Sequence, residues 1–172
     1  MIVVGITGLA GSGKTTVAEY LASKYGFVRL TLSDILLEEA VNRNLLPEDF
    51  DRNSGEVKLI LSRLGDELRR EFGEEVIALR TIERIKDKNF KRICVDGFRS
   101  PKEVEVFRKN FKNFILLLVK ADEKIRFERR KSLDPSLTWE EFKEREKKDL
   151  ENKGLKKVLS LADFEIENNS SK

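Results

Sequence analysis

The feature that most limits how this chain can fold is a glycine-rich bend, Gly8-Leu9-Ala10-Gly11-Ser12-Gly13-Lys14-Thr15, set between an apolar run and a helical pattern. It matches G-x-x-x-x-G-K-[ST] in full. The glycines let the backbone turn its N–H groups inward around anionic oxygens, and the helix beginning at Lys14 adds the positive end of its dipole. In that geometry Lys14 reaches the β- and γ-phosphates of a nucleotide and the Thr15 hydroxyl holds Mg²⁺. Gly8, Ala10, Gly11, Ser12, Gly13 and Thr16 complete the cradle. A bend of this kind needs a buried strand before it and an amphipathic helix after it. Ile2–Ile6 supplies the first, and Lys14 to about Tyr25, with Val17, Leu21 and Ala22 turned inward, supplies the second.

The rest of the chain continues the alternation of apolar runs and helical spacing, which favours a parallel sheet covered on both faces. Phe27–Leu32 reads as a second strand, and Ser33 as the cap of a helix with Asp34 near its positive end. The stretch from Leu45 to Gly55 carries Pro47 and Asn53 and reads as a connection. Glu56–Phe72 and Glu74–Lys86 have helical spacing, parted by Gly73. Arg92–Asp96 is a short buried strand. Ser100-Pro101-Lys102-Glu103 is a capping box with proline at the first helical position. Phe114–Val119 is the most apolar strand, and Asp122–Lys131 is a helix that is basic on one side. Thr138-Trp139-Glu140-Glu141 opens a further helix after the Asp134-Pro135 bend. Phe164–Glu167 is the last strand, and Asn168–Lys172 reads as a frayed tail. The expected fold is a three-layer α/β domain over residues 1–172. It has a five-stranded parallel sheet of order 2-3-1-4-5, a helical acceptor-binding region at about 33–88 and a lid at about 126–150.

Composition removes whole classes of chemistry. The chain has no histidine and one cysteine, Cys94, so Ser-His-Asp triads, Cys-His dyads, histidine metal sites and internal disulfides are all excluded. Hydrophobic residues at 40% and only 3 prolines rule out a disordered chain. The formal charge of +3 comes from interspersed acids and bases, which argues against a nucleic-acid partner, and the Lys147-Lys148 and Lys156-Lys157 runs read as solvated. No apolar run approaches the ~18 residues of a membrane span, and the N-terminus lacks the basic lead-in of a secretory signal, so the expected location is the cytoplasm. Cys94, Phe107, Phe111 and Phe114 read as core, and Trp139 as packing for its helix.

A GTP switch protein needs D-x-x-G and N-K-x-D. No glycine here has an aspartate three residues before it, and Asn152-Lys153 is followed by Gly154-Leu155. A chain of 172 residues also leaves little room for a large motor ATPase. A small phosphotransferase fits the length best. The chain resembles the P-loop nucleoside monophosphate kinases, in particular the archaeal-type proteins related to adenylate kinase or dephospho-CoA kinase. The resemblance runs over nearly the whole chain. It is carried by Gly8–Thr15, by Val95-Asp96-Gly97-Phe98-Arg99, by the basic helix Arg126–Lys131 and by Leu161-Ala162-Asp163-Phe164-Glu165-Ile166-Glu167-Asn168. The Asp-Gly-Phe-Arg element is similar to nucleotide kinases and the C-terminal element to dephospho-CoA kinases.

The resemblance implies ATP and Mg²⁺ as the donor pair and a small nucleotide as acceptor. It places Asp96 on the metal's water shell near Thr15, where a carboxylate suits a hard cation, and aims Arg99 at the acceptor's phosphate as a bidentate fork. Asp34 could contact the acceptor's hydroxyl, base or sugar, or act as a base toward a ribose hydroxyl. Of the adjacent pair Arg69 and Arg70, Arg69 is assigned to the acceptor. Arg126 and Arg129, with Arg130 one turn on from Arg126, are implied to sit on a lid over the triphosphate, and Arg145 could contribute from the next helix. Together with Lys14 and Arg99, Arg126 and Arg129 form the expected catalytic set. The expected activity is nucleoside or deoxynucleoside monophosphate phosphorylation. The alternatives are dephospho-CoA phosphorylation at a ribose 3′-hydroxyl, or a non-kinase ATP-binding regulator or RNA-associated ATPase.

Overall fold

The computed structural model describes residues 1–152 and 154–170. Five parallel strands form one sheet: β1 (Ile2–Thr7), β2 (Val28–Thr31), β3 (Arg92–Asp96), β4 (Phe114–Lys120) and β5 (Phe164–Glu167), in the order β2-β3-β1-β4-β5. This is the expected order. Successive side chains on a strand point to opposite faces, so the register assigns each residue a side. Val4 pairs with Cys94 and Ile115, and Leu117 and Val119 pair with Phe164 and Ile166.

The face that holds Val4, Ile6, Cys94 and Val119 packs on Ala18 of α1 (Lys14–Tyr25), with Val17, Leu21 and Phe27 around it. At its far margin that face ends in Phe164 and Ile166, 60% and 39% exposed. The opposite face carries the larger core. Val3, Ile93, Val95, Phe114 and Leu116 meet apolar residues of α2 (Ser33–Asn42), α3 (Gly55–Phe72), α4 (Val76–Lys86), α5 (Pro101–Asn110) and α8 (Leu155–Ser160). Phe98, Phe107 and Phe114 stack edge-on or tilted at 5.1–6.2 Å there. The remaining helices, α6 (Glu123–Leu133) and α7 (Trp139–Asn152), follow β4 and are joined through Phe127, whose ring lies 5.2 Å from that of Trp139.

The helix ends follow sequence chemistry, with one correction. Gly26, at φ 72°, closes α1 by returning its N–H to Ala22. Ser54 opens α3 by accepting from the Val57 N–H at 3.2 Å. Ser54→Ala is therefore expected to cost about 1 kcal/mol, read as a lower denaturation midpoint. Ser33, expected as a cap, is instead the first residue of α2. No side chain caps α2; Asp34 in its first turn instead reaches back to accept from the Thr31 N–H of β2 at 3.0 Å, tying the strand's end to the helix. β2 is shorter than its apolar run because Phe27 turns into the α1 core and Leu32 is buried after the strand has ended. The short helix α8 had no signal in the sequence pattern. The expected frayed tail is also corrected for Asn168, which bonds to β4 through its N–H on the Lys120 carbonyl at 2.6 Å. Ser171 and Lys172 of that tail lie outside the described residues.

Candidate functional site

The loop between β1 and α1 is where backbone geometry most depends on glycine. Gly11 and Gly13 have φ of 83° and 96°, in the left-handed region. A Cβ on Gly11 would stand 2.6 Å from the Arg126 carbonyl oxygen, and one on Gly13 would stand 2.0 Å from Asn168 Nδ2. Every residue the sequence assigned to the cradle is in this loop or the first turn of α1. Ser12 is 1% exposed, and its hydroxyl is buried without a hydrogen bond. Such an orphaned donor inside a ring of glycines fits a bound anion.

Lys14 folds over the loop and donates to the Gly8 carbonyl at 2.7 Å. Burial lowers its pKa below the ordinary lysine value. Asp96 and Asp149 oppose that shift, while the positive charges of Arg99 and Arg130 add to it. These four charged groups therefore act on one ammonium. Asp96 ends β3 in register with Ile6 of β1, one residue before Thr7 leads into the loop. Among the described residues no cluster of three or more acidic or cysteine side chains forms a ready-made metal cage. The oxygens that could hold a divalent cation at the loop are the Thr15 hydroxyl and the Asp96 carboxylate. That matches the demands of Mg²⁺, which keeps several waters and takes further oxygens from phosphates.

Outside the carboxyl ends of the strands lies a cavity of about 350 Å³, lined by Arg29, Thr31, Asp34, Arg52, Cys94 and Asp96 among others. Asp34 and Asp96, predicted for different tasks, thus face one space. Asp34 is fixed on both oxygens, Oδ2 by the Thr31 N–H and Oδ1 by Arg52. Arg52, in the connection before α3, was missed from the sequence because nothing in its neighbourhood marks it. Arg69 of α3 turns inward to within 3.6 Å of Glu103, whereas Arg70 is exposed, as expected of adjacent residues on a helix. Arg99 follows β3 and is exposed to solvent.

The basic helix α6 departs most from its expected role. Arg126 is 5% exposed and committed to protein acceptors. Its Nε donates to the Ala121 carbonyl at 3.0 Å, Nη1 pairs with Glu146 of α7, and its guanidinium lies 5.6 Å over the Phe142 ring. Arg129 braces the outside of the loop, donating to the Gly11 and Ser12 carbonyls at 3.1 and 3.3 Å and to the Asn168 carbonyl at 2.6 Å. Asn168 adds a bond from Nδ2 to the Ser12 carbonyl at 3.0 Å. A loop that turns its N–H groups inward must leave carbonyls outward, and these two side chains satisfy them. Neither Arg126 nor Arg129 points over the cradle. Arg130, which the sequence reading left out of the catalytic set, is the exposed arginine of α6 whose charge reaches Lys14. Arg145 is exposed and lies 3.9 Å from Glu141.

Comparison with known proteins gives this arrangement a family. A family model described as an AAA domain (AAA_17) matches residues 7–143. A UPF0200 protein of Methanothermobacter thermautotrophicus is 33% identical over 171 residues, which is 98% of this chain and 82% of that protein. In fold the chain is similar to TT1252 from Thermus thermophilus, with a TM-score of 0.64 and 22% identity over 99% of this chain and 90% of that one. It is also similar to a shikimate kinase from Acinetobacter baumannii in complex with shikimate, with a TM-score of 0.54 and 15% identity over 99% of this chain and 86% of that one. The glycine cradle, the 2-3-1-4-5 sheet and these matches agree: the chain has a P-loop kinase-like fold and belongs to the AAA domain family AAA_17, with the UPF0200 proteins of archaea as its relatives.

Proposed function

We propose that the protein is an ATP- and Mg²⁺-dependent phosphotransferase whose acceptor is a small nucleotide, a nucleoside or deoxynucleoside monophosphate. The observation that carries this reading is the second pocket. Beside the phosphate cradle lies a cavity bearing two arginines, Arg29 and Arg52, and the carboxylates Asp34 and Asp96. Arg52 is paired with Asp34 and Arg29 with Glu19, so the space is polar and charged but balanced; a plain ATPase has no use for such a second space next to its nucleotide. In this reading the α2–α4 region, about residues 33–88, is the acceptor side, and the region about 126–150 is the lid through Arg130 alone, since Arg126 and Arg129 are committed to protein acceptors.

Transfer of this kind is positioning and charge neutralisation without a covalent intermediate. Lys14 leaves the Gly8 carbonyl to take the β- and γ-phosphate oxygens, and the loop N–H groups hold the rest of the polyphosphate. Arg99 holds the acceptor's phosphate, and Arg130 stabilises charge on the phosphoryl group in flight. When bound, Mg²⁺ supplies further neutralisation, held by the Thr15 hydroxyl and, through its water shell, by Asp96. Asp96→Asn is expected to raise the Mg²⁺ concentration for half-maximal rate by about 10–100-fold, measured by titrating the metal at saturating ATP.

A second reading, dephospho-CoA phosphorylation, would use Asp34 as a proton acceptor for a ribose hydroxyl, and a shikimate kinase is among the fold neighbours. Asp34 argues for the first reading, because both its oxygens already accept from Thr31 and Arg52. A phosphate acceptor is anionic and needs no base. The test is ADP release from Mg·ATP with a panel of ribo- and deoxyribonucleoside monophosphates and dephospho-CoA. Stimulation by a monophosphate supports the first reading and stimulation by dephospho-CoA the second. Turnover indifferent to all of them but stimulated by RNA means an RNA-associated ATPase.

A further inference from the structure

Among the described residues Glu103 is the only carboxylate buried from solvent, at 0% exposure. As a helix cap it needs only one backbone N–H, and a capping glutamate has no reason to be desolvated, since burying a carboxylate is costly unless it is paired. Its Oε1 accepts from two N–H groups, Arg99 at 2.7 Å and Ser100 at 3.0 Å. Its Oε2 faces Arg69 Nη2 at 3.6 Å and makes no hydrogen bond. Burial pushes the carboxyl's pKa up, and the two N–H groups and Arg69 pull it back.

Buried side-chain polar atoms without a hydrogen-bond partner are few among the described residues. One is Ser12 Oγ in the phosphate cradle. Two more, Arg69 Nε and Glu103 Oε2, lie together at the junction of α3 with the start of α5, beside Ser100, whose hydroxyl belongs to the capping box of α5. Unsatisfied buried groups are rare, and a facing pair of them calls for an explanation. Gly65 adds to the case. It sits inside α3, where glycine is unfavourable, and a Cβ there would come within 3.0 Å of Arg69 Nη1. The glycine leaves room for the guanidinium to fold back toward Glu103.

We propose that Glu103 is a positioning residue for the acceptor's anionic group: one oxygen fixes the backbone that presents Arg99, and the other holds the Arg69 guanidinium beside it. Arg69 and Arg99, from separate elements, are thereby aimed together at one phosphate. This rests on the phosphotransferase reading, and it adds a residue that touches no substrate itself.

Glu103→Gln separates the two tasks. Its amide oxygen still accepts both N–H groups, but its NH₂ now confronts the donors of Arg69. The expected result is a rise of about tenfold in KM for the acceptor, with kcat and the KM for ATP unchanged. In an Arg69→Ala background the same substitution is expected to add nothing. Equal rises in both KM values, an unchanged acceptor KM, or a full effect without Arg69 would each overturn the proposal. Should Glu103→Gln fail to fold, Gly65→Ala displaces Arg69 while keeping Glu103, and the same selective rise is expected. A second measurement is independent of catalysis. Inorganic phosphate is titrated into the intact protein while the amide resonances of Arg99 and Ser100 are followed. Saturable shifts weakened about tenfold in Glu103→Gln, with the Gly11–Thr15 amides titrating as before, support the proposal even if no acceptor is turned over. Shifts that are absent, or identical in the variant, defeat it even if the protein proves to be a kinase.

Discussion

Lys14→Ala, or Lys14→Met, is expected to reduce phosphoryl transfer by roughly a thousandfold, the scale of losing one preorganised charge donor, while thermal unfolding stays close to that of the parent. The two halves of this expectation have different origins. The ammonium is desolvated, its pKa is depressed for that reason, and it donates to the Gly8 carbonyl at 2.7 Å. Such a charge contributes little to folding, because the cost of burying it offsets its attraction to Asp96. Its value appears only when a polyphosphate replaces the carbonyl. Methionine fills the same channel without the charge, so it isolates the electrostatic loss from a packing loss. Steady-state transfer rates set beside melting curves check both halves. Undiminished transfer by Lys14→Ala would falsify the mechanism.

Glu146→Ala is expected to destabilise the fold by about 3 kcal/mol, among the largest stability effects of any single polar substitution here. The reason is Arg126. Its guanidinium is nearly dry, lies over Phe142 and has Glu146 as its acidic partner, itself only 12% exposed. Removing the acid leaves a cation in an apolar setting, whereas removing both charges together does not. Arg126→Met combined with Glu146→Leu should therefore recover most of the loss. Urea denaturation of the two singles and the double decides the matter. A Glu146→Ala midpoint equal to that of the parent would show that the pair does not brace α6 against α7.

The sheet order and the cradle were legible because each rests on local chemistry. Gly11, Gly13, Lys14 and Thr15 are specified by one motif, and three of the five strands, β1, β3 and β4, are near-continuous apolar runs. The arginines of α6 were not legible. Spacing along a helix says which residues share a face, but it does not say what that face meets. Arg126 meets Glu146 from twenty residues downstream, and Arg129 meets carbonyls of the loop. Arg52 was hidden for the same reason, since its partner Asp34 precedes it by eighteen residues. Glu103 was read, correctly, as part of a capping box. Only burial and the approach of Arg69 from another helix show that it is more than a cap. Ser33 proved to lie inside α2 with no side chain capping the helix, because the chain enters it directly from Leu32, and Asp34 holds the end of β2 instead.

The bonds from Asn168 and Arg129 to the outer carbonyls of the cradle tie the exit of the last strand to the first turn of the fold. Residues 168–170 are accordingly a poor place for an inert handle. An affinity tag or fluorophore attached there pulls directly on the loop's geometry, so a dye at that point should report nucleotide occupancy, and kinetic constants from a protein tagged there belong to the tagged protein alone.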